Sequence, residues 1–155
     1  LQSCVNSVIT RNKQGFILNN IDIEIDNIER FVYCDSKWLE FILNQIIVNS
    51  IKYRNTKDSK VKVYCEDIKN GIKLIIEDNG IGIASDELDR VFEKGFTGNT
   101  GRVNSKSTGI GLYLCKKLCD KLGLLIDIES EINCYTKVSI TFPIGSFIMK
   151  TSVVK

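Results

Sequence analysis

The sequence contains no histidine, one proline and no long apolar run. Without an imidazole the chain offers no Ser–His–Asp or Cys–His catalytic arrangement and no histidine that could accept a phosphoryl group. The formal net charge is only +2, so no whole-molecule field attracts nucleic acid or acidic lipid. The apolar runs are shorter than the roughly 20 residues of a membrane-spanning helix. We therefore expect a soluble domain that does not bind nucleic acid.

The six cysteines are not arranged as a metal site, because none are paired as C-x-x-C and no histidine completes a zinc set. Cys115 and Cys119 are four residues apart and share one face of a predicted helix. This spacing favours small core residues in a reducing compartment over a metal or redox site.

Hydrophobic periodicity predicts one α+β domain, a two-layer α/β sandwich with a mixed, mostly antiparallel sheet and helices on one face. The predicted strands cover residues 20–26, 32–34, 60–66, 71–78, 124–130 and 137–143. One helix is expected over residues 37–53 after an N-cap at Asp35 or Ser36, and another ends at a C-cap glycine, Gly123. The aperiodic stretch from Gly95 to Thr108 is expected to be a mobile loop.

The first predicted helix carries a polar stripe, since Gln45, Asn49 and Lys52 recur at helical spacing with Tyr53 beside them. One interpretation is a satisfied boundary between core and solvent. The other is a binding site in which Asn49 provides an oxygen for a hard cation and Lys52 contacts phosphate.

The segment "EDNGIGI", residues 77–83, ends a strand on Asp78 and continues into backbone without side chains at Gly80 and Gly82. A carboxylate there could accept a hydrogen bond from an exocyclic amine, and glycines permit close approach of a flat ligand. A simple glycine turn is the alternative.

The segment "STGIGLYL", residues 107–114, brings Gly109 and Gly111 to the start of a helix. Free backbone N–H groups and the helix dipole make such a place suited to an anion, although the glycines could also serve the loop alone.

In this order the motifs resemble the ATP-binding domain of bacterial sensor histidine kinases, within the superfamily that includes gyrase, heat-shock protein 90 and MutL. "QIIVNSIKY" looks like the N box, "DNGIGI" the first G box, "VFEKGFTG" the F box and "STGIGLYLCKKL" the second G box. The longer segments around the N box and second G box resemble the subgroup with short intramembrane sensors that responds to bacitracin.

The resemblance implies a Bergerat-type fold that binds ATP and Mg²⁺, with Asn49 as the metal ligand and Asn49 and Lys52 as catalytic residues. Tyr53 and Thr136 would lie near adenine, Asp78 would accept from its amino group, and the loop from Gly95 to Lys106 would form a lid. The full set of implied nucleotide contacts is Asn49, Lys52, Tyr53, Asp78, Gly80, Gly82, Ile83, Phe92, Lys94, Gly98, Thr108, Gly109, Gly111, Leu112 and Thr136.

Two residues depart from the family pattern, Gln45 at the first asparagine of the N box and Tyr135 at a frequent glycine. Relatives that hydrolyse ATP, and anti-sigma-factor serine kinases, have a glutamate base one turn before the metal asparagine. Gln45 cannot accept a proton near neutral pH, which disfavours both activities. A degenerate nucleotide-binding scaffold is the other alternative.

The resemblance also implies partners outside this chain. A phosphorylatable histidine would lie on a dimerising helical domain, and a cognate response regulator would receive the phosphoryl group. We expect residues 1–14 to be the end of that helical domain and its linker, residues 15–146 to be the catalytic domain, and residues 147–155 to be a flexible tail. The domain would be cytoplasmic and membrane-attached only through upstream segments, and alone it could not phosphorylate itself.

Overall fold

The computed structural model describes residues 1–98 and 108–144. The helices are α1 (Gln2–Arg11), α2 (Lys13–Leu18), α3 (Ser36–Lys52), α4 (Ser85–Leu88) and α5 (Gly111–Leu122). The strands are β1 (Asp22–Asp26), β2 (Lys60–Ile68), β3 (Gly71–Asp78), β4 (Leu125–Glu131) and β5 (Tyr135–Pro143). Residues 99–106 of the predicted lid and the predicted tail lie outside the described residues.

The strands form one sheet in the order β1-β2-β3-β5-β4. β1 runs parallel to β2, and every other neighbouring pair is antiparallel. The predicted α+β architecture with a mixed, mostly antiparallel sheet is therefore confirmed.

The core lies between the sheet and the long helices α3 and α5. Helix α3 begins where Asp35 accepts a hydrogen bond from the Trp38 backbone N–H at 3.1 Å, which is the expected N-cap. Its apolar stripe is buried against the sheet and the other helices: Leu39, Ile42, Leu43, Ile46 and Ile47. Alternating side chains of β2 complete this layer, with Val61, Val63 and Cys65 inward.

Helix α5 packs through its two cysteines. Cys115 and Cys119 are fully buried in the core, and burial raises the pKa of each thiol to about 12. The neutral thiol is therefore favoured, as expected of small core residues. The helix ends at Gly123, whose φ of 72° is the left-handed C-cap conformation that the sequence predicted.

The opposite face of the sheet carries a row of charged side chains. One row of side chains alternates in charge across all five strands in the pairing register: Glu24, Lys62, Glu77, Lys137 and Glu129. Lys62 Nζ lies 3.5 Å from a Glu24 oxygen and Lys137 Nζ lies 4.0 Å from a Glu77 oxygen. Such cross-strand pairs suit a solvated surface, and the described long helices pack on the other face of the sheet.

The strand predicted over residues 32–34 is wrong. This segment has no ladder partner among the described residues. Val32 and Cys34 pack against the core while Tyr33 is exposed, so the alternation that suggested a strand reflects packing during the crossing from the sheet edge to α3. The helices α2 and α4 were not predicted.

Helix α1 packs on α3, and its Val5 and Val8 belong to the same hydrophobic core. The Leu1 nitrogen donates to the Arg30 carbonyl at 2.8 Å, which joins the start of α1 to the segment before α3. That residues 1–14 end a linker helix stays a prediction.

Candidate functional site

A cavity of about 290 Å³ opens where the end of α3, the end of β3 and the start of α5 meet. Its walls contain most of the residues that the sequence singled out. Those residues are Gln45, Asn49, Lys52, Tyr53, Asp78, Gly82, Ile83, Gly98, Thr108, Gly109, Gly111, Leu112 and Thr136. Segments far apart in the chain thus supply one concave, partly apolar surface of the kind that binds small molecules.

Asp78 is the most strongly perturbed carboxylate of the site. Burial raises its pKa to about 6, although hydrogen bonds from the Gly80 N–H and the Ser50 hydroxyl favour the ionised form. The Gly80 N–H donates to Asp78 Oδ1 at 2.9 Å. Ser50 is buried on α3, and it was not predicted. The carboxylate is therefore held by a strand, a loop and a helix while it lines the cavity.

The glycines after β3 allow the loop to approach its neighbours. A Cβ at Gly80 would collide with the Tyr53 carbonyl, and a Cβ at Gly82 would collide with the Glu131 backbone. Gly82 also has a φ of +71°, in the left-handed region that favours glycine. Hydrogen bonds fix the same approach, because Ile81 N–H donates to the Tyr53 carbonyl at 3.0 Å and Asn133 N–H donates to the Ile81 carbonyl at 2.7 Å. Gly80 thus serves packing on α3 and does not line the cavity.

The start of α5 forms the other end of the cavity. No side chain of the described residues caps its first turn, and the N–H groups of such a turn are suited to an anion. Gly111 lies against Gln45, since a Cβ there would come within 2.7 Å of Gln45 Oε1. Gly109 has φ +68° and contacts the backbone of Gly95 and Phe96. The glycines therefore let α5 and the F-box segment close around one opening.

Besides Gly80, two further predicted contacts lie outside the cavity wall. Phe92 packs against the hydrophobic core, and Lys94 Nζ lies 5.9 Å from the centre of the Tyr113 ring. Phe96 and Thr97, which belong to the predicted lid, also line the cavity. Other cavity residues were missed by sequence reasoning: Val48, Ser50, Ile81, Glu87, Val91, Ile128 and Val138. The apolar ones alternate with core residues and carry no distinct signal. Glu87 lies on the short helix α4, which has no clear periodicity.

The donor chemistry of the site fits magnesium and a phosphorylated nucleotide. Asn49, whose side-chain amide carries an oxygen, lines the cavity with Lys52, whose Nζ lies 5.3 Å from the centre of the Tyr53 ring. Mg²⁺ is commonly held by one or two protein oxygens, substrate phosphates and water. Asn49 would hold such an ion, and Lys52 with the α5 N–H groups would face the phosphates.

No helix in residues 1–98 and 108–144 combines the length and apolar character needed to cross a membrane.

Comparison with known proteins identifies the family. Residues 34–146 match the model described as "Histidine kinase-, DNA gyrase B-, and HSP90-like ATPase". The chain is 37% identical over 131 residues to the sensor protein kinase GraS of Staphylococcus aureus (strain MRSA252), covering 84% of this chain and 36% of that protein. It is 38% identical over 144 residues to the sensor protein BceS of Bacillus subtilis (strain 168), covering 93% of this chain and 42% of that protein.

Solved structures agree in fold. The nucleotide-free catalytic domain of histidine kinase ThkA superposes with a TM-score of 0.77 at 24% identity, covering 92% of this chain and 93% of that one. The mycobacterial sensor histidine kinase MprB gives 0.78 at 22% identity, covering 92% and 93%. The chain spans well under half the length of the curated relatives, 36% and 42% of GraS and BceS. It belongs to the histidine kinase-, DNA gyrase B- and HSP90-like ATPase family and is a catalytic domain of the sensor histidine kinase type, similar in sequence to the sensor proteins GraS and BceS.

Proposed function

We propose that this domain binds Mg-ATP in the cavity and delivers the γ-phosphoryl group to a histidine on a separate domain of its parent kinase. The observation that carries the proposal is the convergence of Asp78, Asn49 and the uncapped start of α5 on one opening. These are a base-reading carboxylate, a metal-binding amide and an anion site. Together they match the base, the metal ion and the phosphates of a metal-bound nucleoside triphosphate.

In this proposal Asp78 accepts a hydrogen bond from the adenine amino group, and Tyr53 and Thr136 line the same end of the cavity. Asn49 orients the metal ion, and Lys52 neutralises phosphate charge. Bound Mg-ATP supplies the phosphoryl group. A histidine nitrogen attacks the γ-phosphorus, the bond to the bridging oxygen breaks, and ADP leaves. Positioning and charge neutralisation supply most of the catalysis of such transfers.

Gln45 favours transfer to histidine over hydrolysis or serine phosphorylation. It lines the cavity one helical turn before Asn49, and an amide cannot take a proton from water or from a serine hydroxyl. An imidazole nucleophile needs no such base. The parent kinase would therefore supply the nucleophile on its dimerisation domain and pass the phosphoryl group to a response regulator. Its membrane attachment would lie in segments outside this chain.

The proposal is tested by nucleotide binding and by transfer in separate assays. We expect the isolated domain to bind fluorescent ADP with Mg²⁺ and to retain its own chain unphosphorylated. Mixed with the histidine-bearing dimerisation domain of its parent and radiolabelled ATP, it should label that domain at an acid-labile site. Binding without transfer would favour a nucleotide-responsive scaffold, and the absence of binding would contradict the proposal altogether.

A further inference from the structure

A chain of hydrogen bonds links Thr136, which lines the cavity, to the loop after β3. Its centre is the hydroxyl of Ser130 on β4, which does not line the cavity. Ser130 Oγ lies 2.6 Å from the Tyr135 carbonyl oxygen, 2.8 Å from the Ile83 backbone nitrogen and 2.9 Å from Thr136 Oγ1. All three distances are within the range of good hydrogen bonds.

The direction of each bond follows from the number of protons. A serine hydroxyl has one proton to donate and two lone pairs to accept. The Tyr135 carbonyl can only accept, so Ser130 donates its single proton there. The Ile83 N–H can only donate, so it occupies one lone pair of Ser130. The remaining lone pair of Ser130 must therefore accept the proton of Thr136.

This assignment leaves Thr136 with no proton for the cavity. Its oxygen can offer only lone pairs there, as the ionised carboxylate of Asp78 does. Thr136 and Asp78 are direct partners across the β3–β5 pairing. Two neighbouring acceptors at one end of the cavity suit a ligand edge that carries donors, and an exocyclic amino group has two N–H bonds.

We propose that Ser130 is a specificity-positioning residue that fixes the Thr136 hydroxyl as an acceptor and so favours a 6-amino purine over a 6-oxo purine. The proposal rests on the nucleotide-binding function proposed above. Without Ser130 the Thr136 hydroxyl is free to rotate and donate its proton into the cavity. It can then satisfy the carbonyl oxygen of a 6-oxo purine as readily as the amino group of adenine.

The test compares the affinities for ATP and inosine triphosphate by calorimetry. In the unaltered domain we expect ATP to bind more tightly. In Ser130→Ala the ratio of the two affinities should fall by about three- to tenfold, the scale of one neutral hydrogen bond. Ser130→Thr retains the hydroxyl and should retain the ratio. Ser139→Ala, which alters a buried serine of β5 outside the cavity wall, should leave it unchanged.

A loosened loop alone would not produce this pattern. Ser130→Ala also deprives the Ile83 N–H of its acceptor, which would weaken both nucleotides together without changing their ratio. In the Thr136→Val background no hydroxyl remains to reorient, so Ser130→Ala should not change the ratio further. An equal change in both backgrounds would show that Ser130 acts otherwise and would overturn the inference.

The remaining outcomes separate this inference from the proposed function. If the unaltered domain binds neither nucleotide, or does not prefer ATP, the adenine-binding function fails. If it prefers ATP and Ser130→Ala keeps the full preference, only the role of Ser130 is rejected. Should Ser130→Ala fail to fold, Ser130→Cys preserves the volume with a much weaker donor and is expected to lower the same ratio.

Discussion

Asp78 and Ser50 join the sheet to helix α3 through one hydrogen bond inside the candidate nucleotide site. Ser50 is buried on the inner side of α3, and Asp78 is the last residue of β3. The Gly80 N–H donates to the same carboxylate at 2.9 Å. These contacts hold the Asp78 carboxylate at the cavity as a hydrogen-bond acceptor, although burial disfavours its ionised form.

The first prediction concerns the affinity for nucleotide. Asp78→Asn should weaken ADP and ATP binding by about 1.5–3 kcal/mol, because a hydrogen bond to a charged acceptor is lost. Isothermal titration calorimetry at pH 7.5 measures this difference. Asp127→Asn, an exposed carboxylate on the outer face of β4, is the matched control and should bind normally. Unchanged affinity in Asp78→Asn would remove this residue from the base site.

The second prediction concerns the stability of the same variant. Asp78→Asn should weaken nucleotide binding but stabilise the folded domain at neutral pH. Burial raises the pKa of Asp78 from 3.8 to about 6, so between these values the folded state holds more protons than the unfolded state. The free energy of unfolding therefore falls as pH rises through this window, by up to about 3 kcal/mol from this group. Asp78→Asn removes this loss. Relative to that of the unaltered domain, the free energy of unfolding of Asp78→Asn should therefore be higher at pH 8 than at pH 4.5.

Urea unfolding of both proteins without nucleotide measures this effect. Nearby titratable groups are Glu77, which also raises the pKa of Asp78, and Lys52, Tyr53 and Glu87 in the cavity wall. Comparing the variant with the unaltered domain cancels contributions that they make equally to both. The same difference in unfolding free energy at pH 4.5 and pH 8 would contradict the buried-carboxylate explanation. A variant that is more stable yet binds more weakly would separate binding from folding.

Sequence patterns predicted the elements whose signals are local. The apolar stripe of α3, its cap at Asp35 and the C-cap at Gly123 depend on residues within a few positions of each other. The strand predicted over residues 32–34 was wrong because strand formation needs a partner, and pairing is decided by residues far along the chain. Short helices such as α4 contain too few turns to produce a period.

The same distinction applies to the site. Asp78 could be predicted because a charged residue at the end of an apolar strand is conspicuous in the sequence itself. Ser130 could not, since its role comes from hydrogen bonds to Ile83, 47 residues away, and to Thr136 across a hairpin. A serine in a hairpin carries no distinctive sequence signal, and only its hydrogen-bond partners in the folded structure determine where its hydroxyl proton points.

The third prediction assigns the metal to Asn49. With Mg²⁺ present, Asn49→Ala should bind ATP only as tightly as the unaltered domain does in EDTA, because the side-chain oxygen for the ion is lost. Binding in EDTA should change little. Calorimetry with and without Mg²⁺ gives both values for each protein.

Asn44→Ala is the matched control for this experiment. Asn44 lies on the same helix, but its side-chain oxygen accepts from Asn12 Nδ2 at 2.8 Å, and it is outside the nucleotide cavity. This variant should keep the full increase in affinity on adding Mg²⁺. A normal magnesium response in Asn49→Ala would place the metal ligand elsewhere.

The fourth prediction compares two glycines with similar backbone and different surroundings. Gly95 and Gly109 have φ values of +81° and +68°, so alanine is strained at either position by about 1–2 kcal/mol. Among residues 1–98 and 108–144, a Cβ at Gly95 would meet nothing within 4 Å, whereas one at Gly109 would come within 2.7 Å of the Phe96 backbone nitrogen. Only Gly109→Ala therefore forces backbone to move, which adds about 1–3 kcal/mol of overpacking.

Because Phe96 and Gly109 both line the cavity, the Gly109→Ala variant should also bind nucleotide more weakly, while Gly95→Ala should bind normally. Thermal unfolding and calorimetry of the pair check both claims, and equal behaviour of the two variants would show that backbone strain, not the contact between these segments, determines the requirement for glycine.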